Sequence, residues 1–329
     1  MNGTAFVTGA SGFLGRPLVA ALLARGRSVV ALCRQPESLA DLNHPALRIV
    51  AGDLLDAASW APGLSGAESV FHLAGMRQRP GVTVREMAAV NVEATLDLAR
   101  RAGEAGAARF VHVATALIYG PSKDGRPRTE GGGFDPAPAL YARSKVEAVR
   151  GIRALVRAGL PAVTVCPSLV FGPDHPSHPN RITSEIRRLS RGGPRIWLAG
   201  GRQARNLVFV DDVVEGLLAA EARGAVGEEY LLGGEEVSPR ELADRVTASR
   251  GGIASRLALS LPGGAVLTAA GFVDRLRGHE AGGGYATAVR NLLWEWRFSS
   301  AKAVRDLGYC PRSLTAGLVS TIDGLQRLP

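Results

Sequence analysis

Thr8-Gly9-Ala10-Ser11-Gly12-Phe13-Leu14-Gly15 is the most informative stretch of the sequence. It follows a short apolar run at residues 4–7 and precedes residues 16–24, where apolar side chains recur at helical spacing. A strand, a glycine turn and a helix in this order direct backbone N–H groups and a helix N-terminus at a pyrophosphate. In such a turn Gly9 permits the tight bend, Gly12 admits the phosphates, and Gly15 lets the helix pack on the strand. The stretch therefore predicts a dinucleotide site, with a first gap one residue wider than that of the G-x-G-x-x-G motif.

The composition is that of a globular protein. The chain has 329 residues, 46% of them hydrophobic and 21% charged, which is enough for one large domain or two smaller ones. Cys33, Cys166 and Cys310 are odd in number and far apart, so they favour a reducing compartment over a disulfide framework or a metal site. No basic segment with a following apolar run precedes the first strand, and we therefore expect a cytoplasmic protein.

The formal net charge is +9, which raises the question of a nucleic-acid partner. Lys123, Lys145 and Lys302 are the lysines among 39 basic residues, and the remaining 36 are arginines spread along the chain. No nucleic-acid-binding motif accompanies them, so we expect no nucleic-acid partner. The positive field is better suited to attracting an anionic substrate or the cofactor phosphates.

Strand-like and helix-like segments alternate through the first half of the chain. The predicted strands after the first helix are 28–33, 47–53, 69–74, 109–114 and 162–166, and the predicted long helices are 82–105 and 141–158. Strands separated by helices indicate βαβ units with right-handed crossovers. The predicted fold is α/β, a Rossmann-type doubly wound parallel sheet.

The pattern changes after Phe171, where prolines, glycines and arginines accumulate over residues 172–205. The pattern predicts a return to the α/β layer, with a strand at 207–210, a helix at 211–222 and a strand at 230–232. For 235–295 it predicts an apolar, helical segment with glycine-rich breaks. We therefore expect two domains. The dinucleotide-binding domain would comprise 1–171 and 206–234, and a smaller, discontinuous substrate domain would comprise 172–205 and 235–329.

Residues 257–273 carry no charge but are interrupted by Pro262-Gly263-Gly264. A membrane-spanning helix needs about 20 uninterrupted residues, so this segment does not predict a span. Two interpretations remain for it, a buried pair of core helices and the apolar wall of a substrate pocket.

Tyr141 and Lys145 form a second chemical signal. At positions i and i+4 of a helix they project from one face, and a cation beside a phenol lowers the phenol pKa from its usual value near 10. The phenol can then exchange a proton with a substrate hydroxyl or carbonyl while hydride moves to or from a nicotinamide. Thr115 follows the strand 109–114, at the sheet edge where open α/β folds bind ligands, and it could hydrogen-bond the reacting oxygen.

Taken together, these motifs resemble the extended short-chain dehydrogenases/reductases of the NAD-dependent epimerase/dehydratase superfamily. The C-terminal half is most similar to the 3β-hydroxysteroid dehydrogenase-like and hopanoid-associated branches. The matching segments run through nearly the whole chain and are 8–15, 52–54, 72–75, 91–95, 115–120, 141–145, 167–173, 208–212 and 299–311.

The resemblance implies specific roles. Tyr141 would be the general acid/base, Lys145 would hold the nicotinamide ribose and tune Tyr141, and Thr115 would contact the substrate oxygen. Dimers through the helices 82–105 and 141–158 would be expected, giving a possible homodimer. Besides Tyr141 and Lys145, the residues expected to bind the cofactor are Gly9, Ser11, Gly12, Phe13, Leu14, Gly15, Cys33, Arg34, Asp53, Leu54, Leu73, Ala74, Gly75, Asn91, Pro167 and Leu169.

The end of the second predicted strand bears on the cofactor. NAD-preferring relatives have an acidic residue there, whereas this chain has Cys33 followed by Arg34. A missing carboxylate removes repulsion and an arginine can pair with a 2′-phosphate, so we expect NADP to be favoured over NAD. Cys166 and Phe171 also depart from the family pattern, where arginine and tyrosine are common, but neither change removes a proton-transfer group.

Two further clusters look chemically suggestive. The run 174–178 contains Asp174, His175 and His178, but prolines break it, so a solvated loop is expected and no metal site. Asp211 and Asp212 are adjacent and point apart on a helix, which favours a helix cap and a dipole partner over paired catalytic carboxylates.

Three functions remain open. The first is an oxidoreductase for a secondary alcohol or ketone of a bulky apolar, steroid- or terpenoid-like molecule. The second is a nucleotide-sugar epimerase or dehydratase, for which Arg205, together with Arg181, would bind the substrate phosphates. The third is a cofactor-binding scaffold or sensor without turnover, which the presence of both Tyr141 and Lys145 disfavours.

Overall fold

The computed structural model describes residues 3–175, 178–249 and 257–327. The strands are β1 Thr4–Thr8, β2 Val29–Cys33, β3 Leu47–Ala51, β4 Ala67–His72, β5 Arg109–Val113, β6 Ala162–Pro167, β7 Leu169–Phe171, β8 Arg195–Leu198, β9 Arg205–Phe209, β10 Glu229–Leu232, β11 Glu235–Val237 and β12 Ala258–Leu261. The α-helices are α1 Gly15–Ala24, α2 Ala57–Trp60, α3 Val84–Ala88, α4 Ala94–Glu104, α5 Leu140–Arg157, α6 Arg181–Ser190, α7 Val210–Arg223, α8 Pro239–Ala248, α9 Gly263–Leu276, α10 Tyr285–Leu293, α11 Ala301–Leu307 and α12 Leu314–Arg327.

Seven parallel strands form the central sheet in the order β10-β6-β5-β4-β1-β2-β3. Apolar side chains of α1 and α7 pack on one face, and those of α4 and α5 pack on the other. The chain runs outward from β1 to β3 and then returns to β4, so the strand order reverses between β1 and β4. The crevice at the carboxyl ends of these two strands is where such sheets bind ligands. The predicted Rossmann-type α/β fold is confirmed.

A second, three-stranded sheet has the order β11-β9-β7. Here the sequence interpretation was wrong, because β9 does not rejoin the central sheet but pairs parallel with β7 and antiparallel with β11. β10 is the late strand that returns to the central sheet, beside β6. The segment 235–295 also contains the strands β11 and β12, so it is not wholly helical. The boundaries given above for the two domains stay a prediction.

The long helix expected at 82–105 is divided. It begins at Val84, after a capping box formed by Thr83 and Glu86, and a π-helical turn at Ala89–Glu93 separates α3 from α4. Single π-turns inside α-helices often occur at functional sites. In this one the turn carries Asn91, which is fully buried.

The uncharged segment 257–273 does not form a buried pair of core helices. Most of β12 is exposed, and Gly263 is the buried residue of α9. Within the described ranges, no helix is long and apolar enough to cross a membrane.

Candidate functional site

The glycine turn between β1 and α1 has the geometry of a phosphate-binding turn. Gly9 has φ +65°, in the left-handed region, and a Cβ there would lie 2.7 Å from the Ala74 amide nitrogen. A Cβ on Gly15 would lie 2.0 Å from the Gly9 carbonyl oxygen, so the start of α1 rests directly on the turn. At Gly12 the nearest atom, the Gly9 carbonyl oxygen, is 3.1 Å from the Cβ position. A side chain at Gly12 would therefore project outward, over the turn.

The N-terminus of α1 is available to an anion. Leu14 precedes the helix without a side-chain cap in the described part of the chain, and the first N–H groups of a helix lack partners within it. Phe13 and Leu14 direct their side chains into the cores instead. The turn, the uncapped helix and the positive end of the helix dipole together fit the pyrophosphate of a dinucleotide.

The loop after β4 forms the opposite side of this crevice. The Leu73 N–H donates to the Thr8 carbonyl oxygen at 3.3 Å, and the Ala74 N–H donates to Thr8 Oγ1 at 3.2 Å. A Cβ on Gly75 would lie 3.3 Å from Lys145 Nζ, so this glycine lets the loop approach the lysine closely. The predicted residues 73–75 are thus brought next to both the glycine turn and Lys145.

Thr115, Tyr141 and Lys145 converge at the carboxyl end of β5. Thr115 lies close enough to the Tyr141 phenol to affect its pKa, and Lys145 Nζ donates to the Val113 carbonyl oxygen at 3.0 Å. Burial raises the pKa of Tyr141 to about 12, against the lowering by Arg77 and by Thr115. Burial also lowers the pKa of Lys145 to about 8. The pKa of the phenol thus moves opposite to our expectation, because its desolvation outweighs the neighbouring positive charge.

Asn91 connects three elements around this centre. Its Oδ1 accepts the Met76 N–H at 2.7 Å, and its Nδ2 donates to the Met76 carbonyl at 3.0 Å and to Ser144 Oγ at 3.0 Å. Ser144 in turn donates to the Tyr141 carbonyl at 2.9 Å. The π-turn therefore holds the loop after β4 against the helix that carries Tyr141 and Lys145.

The end of β2 lies at the side of the crevice where the sequence analysis predicts the adenosine. Cys33 is buried, whereas Arg34 is exposed and has no ion-pair partner among the described residues. Arg16 is paired instead with Asp41 and donates to the Ser38 carbonyl at 2.7 Å. In the following loop Asp53 accepts the Leu55 N–H at 2.9 Å, and Leu54 accepts a hydrogen bond from the Trp60 indole.

The end of β6 carries Pro167, which pairs with Leu232 of β10, and Leu169 begins β7. Just before them, Cys166 is fully buried, with its Sγ 3.7 Å from the Tyr119 hydroxyl. That hydroxyl donates to Glu229 Oε2 at 2.7 Å, and Arg153 Nε donates to Glu229 Oε1 at 2.7 Å. The small Cys166 thus lies beside a buried carboxylate network that the sequence analysis missed.

The two arginines proposed for substrate phosphates lie near each other. Arg205, at the start of β9, is mostly buried, and its Nη1 is 3.8 Å from Glu185 Oε2. Burial lowers the pKa of Arg205, Glu185 raises it, and Arg181 lowers it further. Arg181 itself is exposed. The pair is a partly neutralised basic cluster.

Two other expectations need correction. Asp174 does not belong to a solvated loop, since it is 3% exposed, accepts the Asn180 N–H at 2.6 Å and pairs with Arg187. Asp212 does not cap α7. It accepts hydrogen bonds from the Arg312 backbone N–H at 3.0 Å and from its Nε at 2.8 Å, because the turn before α12 lies against the start of α7.

Two polar side chains near the centre were not predicted. Gln78 Oε1 accepts the Tyr141 N–H at 3.1 Å, while Gln78 Nε2 is buried and without a partner among the described residues. Ser168 Oγ, between Pro167 and Leu169, is likewise buried and unpaired within the described ranges. Their positions depend on loop conformation, and no spacing in the sequence marks them.

The model of the NAD dependent epimerase/dehydratase family matches residues 5–233. The chain belongs to this family. Among curated relatives, the 4-hydroxy-2-methyl-3-oxo-4-farnesyl-3,4-dihydroquinoline-1-oxide ketoreductase of Stigmatella aurantiaca is 30% identical over 98% of this chain and 95% of the relative. Sterol demethylase protein B of Methylococcus capsulatus is 29% identical over 97% of each chain.

Among solved structures, the dTDP-glucose 4,6-dehydratase DesIV of Streptomyces venezuelae has NAD and TYD bound. It matches this fold with a TM-score of 0.78 at 28% identity, covering 98% of this chain and 97% of that one. The resemblance to the extended short-chain dehydrogenases/reductases is confirmed. As a member of the epimerase/dehydratase family, the chain is an enzyme that uses a nicotinamide dinucleotide cofactor and acts on a small molecule.

Proposed function

We propose that the protein moves hydride between a nicotinamide cofactor and a secondary alcohol or ketone of a bulky apolar molecule. The observation that carries the proposal is the convergence of Thr115, Tyr141 and Lys145 at the carboxyl end of β5, beside the glycine turn. The names of two full-length relatives refer to a farnesyl quinoline and to a sterol, and these support an apolar substrate.

The roles of the three side chains follow from their chemistry. When bound, the nicotinamide supplies or accepts the hydride. Tyr141 donates its proton to the substrate oxygen during reduction and accepts one during oxidation. With a pKa of about 12 the phenol stays protonated at neutral pH, which suits donation to a ketone. Thr115 hydrogen-bonds the same oxygen, and Lys145, held by the Val113 carbonyl and facing Gly75, binds the ribose.

Replacing Tyr141 by Phe tests this function. The variant should lose about a hundredfold to ten-thousandfold in turnover, because general acid/base catalysis contributes 10²–10⁴-fold. Affinity for the reduced cofactor, measured by its fluorescence, should change little. Tyr285→Phe, which alters a half-exposed phenol on α10, is the matched control and should keep full turnover. Undiminished turnover in the Tyr141 variant would contradict the proposed role.

We further infer that NADP is preferred to NAD. The preference rests on the exposed Arg34, whose guanidinium lacks an acidic partner among the described residues, and on a cysteine where a carboxylate would repel the 2′-phosphate. Arg34→Ala should raise the KM for NADP about tenfold or more and leave the KM for NAD nearly unchanged. A lower KM for NAD than for NADP in the unaltered enzyme would overturn the inference.

The second candidate is a nucleotide-sugar epimerase or dehydratase. The proximity of Arg181 and Arg205, and the similarity to DesIV, favour it. Glu185 weighs against it, because it already offsets the charge of Arg205. Binding of dTDP or UDP that weakens at least about tenfold in Arg205→Met would support this candidate over an apolar substrate. The non-catalytic scaffold, which the sequence analysis disfavoured, disagrees with membership of a family of enzymes. A homodimer and a cytoplasmic location stay predictions from the sequence.

A further inference from the structure

Helix α9 exposes an apolar face to solvent. Phe272 is 60% and Leu276 is 72% exposed, and both lie on the same side of the helix as Ala265, Thr268 and Ala269. These positions follow the i, i+3, i+4, i+7 and i+11 spacing of one helical face. Val273, 36% exposed, lies at the edge of this face.

The other side of α9 is the one turned to the protein. Val266, Leu267, Ala270 and Asp274 are partly buried there, and Asp274 accepts the backbone N–H groups of Tyr285 and Ala286 at the start of α10. A surface helix ordinarily turns its polar residues to water, whereas α9 turns Phe272 and Leu276 outward. Exposed apolar faces of this kind mark surfaces for a partner or a membrane.

The charges at the C-terminal end of α9 are basic. Arg275 and Arg277 are exposed, and Arg277 lies over the Tyr285 ring, 5.9 Å from its centroid. The nearby carboxylates are already engaged. Asp274 pairs with His279 at 2.9 Å as well as binding α10, and Glu280 accepts the Val84 N–H at 2.8 Å. Asp274 faces α10 and Glu280 faces the start of α3, whereas Arg275 and Arg277 are the exposed charged side chains of α9 and its C-terminal cap.

The loop that follows α9 reaches the catalytic helix α5. The loop after α9 continues to Gly282, whose carbonyl oxygen accepts the N–H of Leu140, the first residue of α5, at 3.2 Å. Tyr141 follows immediately. The same loop is held to α3 by Glu280 and Val84. Helix α9 is thus connected, through fewer than ten residues, to the end of α5 that carries the general acid.

We propose that α9 docks on the surface of an anionic lipid bilayer, with Phe272 and Leu276 among the acyl chains and Arg275 and Arg277 at the headgroups. A helix with an apolar face and flanking basic residues binds in this way without spanning the membrane. The docked enzyme takes its apolar substrate directly from the lipid. This delivery step rests on the proposed function, but the docking itself does not.

A second copy of the chain is the alternative occupant of the face. Two copies meeting through α9 in a twofold arrangement would bring Arg275 and Arg277 of each copy to the same interface. Like charges at an interface are unfavourable, whereas anionic headgroups complement them. The charge therefore favours lipid.

The test is sedimentation of the full-length protein with vesicles, in the absence of substrate and cofactor. Vesicles of phosphatidylcholine with one third phosphatidylglycerol should bind the protein, and vesicles of pure phosphatidylcholine should bind it at least about fivefold more weakly. Phe272→Ser/Leu276→Ser should lower binding about tenfold or more, and Arg275→Gln/Arg277→Gln about fivefold per arginine on the anionic vesicles. Val304→Ser/Val319→Ser, at exposed valines of α11 and α12, is the matched control and should bind like the unaltered protein.

Absence of binding to the anionic vesicles, or equal loss in the control variant, would overturn the proposal. So would a concentration-dependent dimer in analytical ultracentrifugation that the Phe272/Leu276 variant abolishes, because a second copy would then cover the face. Since no turnover is measured, failure of the proposed reaction leaves vesicle binding intact. Failure of docking likewise leaves the Tyr141→Phe result unaffected.

Discussion

His72 and His112 lie side by side in neighbouring strands of the central sheet, and both are fully buried. His72 is hydrogen-bonded at both ring nitrogens, to Thr8 Oγ1 at 2.7 Å and to Thr95 Oγ1 at 2.9 Å. Neither nitrogen of His112 has a hydrogen-bond partner among the described residues, and its ring stacks on that of His72 with centroids 6.0 Å apart. Burial lowers the pKa of each, that of His72 to about 3, so both rings are neutral.

Because the two histidines differ in hydrogen bonding, replacing each of them by leucine should affect the free energy of unfolding differently. His72→Leu should lower the free energy of unfolding by about 2–3 kcal/mol, because the buried hydroxyls of Thr8 and Thr95 each lose a hydrogen bond and Thr8 keeps only that from the Ala74 N–H. His112→Leu should change it by less than about 1 kcal/mol, or raise it, because it removes polar atoms that have no partner. Urea unfolding at pH 7 measures both. Equal losses would mean that His112 has a partner, such as a buried water.

Burial of the charged Lys145 side chain lowers the stability of the folded protein. Burial lowers its pKa from 10.5 to about 8, which corresponds to about 3 kcal/mol of destabilisation wherever the lysine is charged. Between pH 8 and 10.5 the unfolded chain binds a proton that the folded chain does not, so this penalty fades as pH rises.

Lys145→Met should therefore raise the free energy of unfolding by up to about 3 kcal/mol below pH 8, and by almost nothing above pH 10.5. The same variant should lose most of its turnover, since the group facing Gly75 is gone. Denaturant melts at pH 7 and pH 10.5 provide the comparison. A variant less stable than the parent at pH 7 would contradict the desolvation argument.

At the scale of elements, the strand-turn-helix unit at the N-terminus was predicted to within a residue of its observed bounds. Local signals suffice there, because an apolar run, glycines at fixed spacing and helical periodicity each act over a few residues. The π-turn at Ala89–Glu93 was not predicted, since one extra residue in a turn barely disturbs a 3.6-residue pattern. Its cause lies in the long-range bonds from Asn91 to Met76 and Ser144.

Two substitutions in the glycine turn distinguish its contribution to stability from its contribution to cofactor binding. Gly15→Ala should lower the melting temperature by several degrees, because its Cβ would lie 2.0 Å from the Gly9 carbonyl oxygen and the turn would have to move. Gly12→Ala, with its nearest contact at 3.1 Å, should cost little stability but weaken NADPH binding about tenfold or more. Thermal melts and fluorescence titrations test the two effects separately. Unchanged NADPH affinity in Gly12→Ala would argue against a phosphate over the turn.

At the scale of the whole molecule, the fold class followed from the order of strands and helices, but the assignment of strands to sheets did not. The apolar run at β9 reads like any buried strand, and only its long-range partners β7 and β11 determine that it lies outside the central sheet. For the uncharged segment 257–273, which includes most of α9, a buried pair of core helices was likewise one of two expectations, the other being the wall of a substrate pocket. Hydropathy reports composition, whereas exposure depends on what the rest of the chain covers.

The residues of the candidate site also fall into two groups, those that the sequence predicts and those that it does not. Thr115, Tyr141 and Lys145 could be located from spacing and from the strand that precedes them, and the structure brings them together. Gln78 and Glu229 could not, because their positions near the centre depend on a loop conformation and on a strand about 60 residues beyond β6.

The position of β10, about 60 residues after its partner β6 in the sequence, also has a consequence for synthesis of the chain. Until β10 is made, β6 is the outermost strand on its side of the central sheet, with its backbone N–H and C=O groups unpaired. About 60 residues separate the two strands, which at 5–20 residues per second is roughly 3–12 s of translation. An open strand edge recruits other chains during that interval. A ribosomal pause between residues 168 and 229 therefore prolongs the period in which the nascent enzyme is most prone to aggregate.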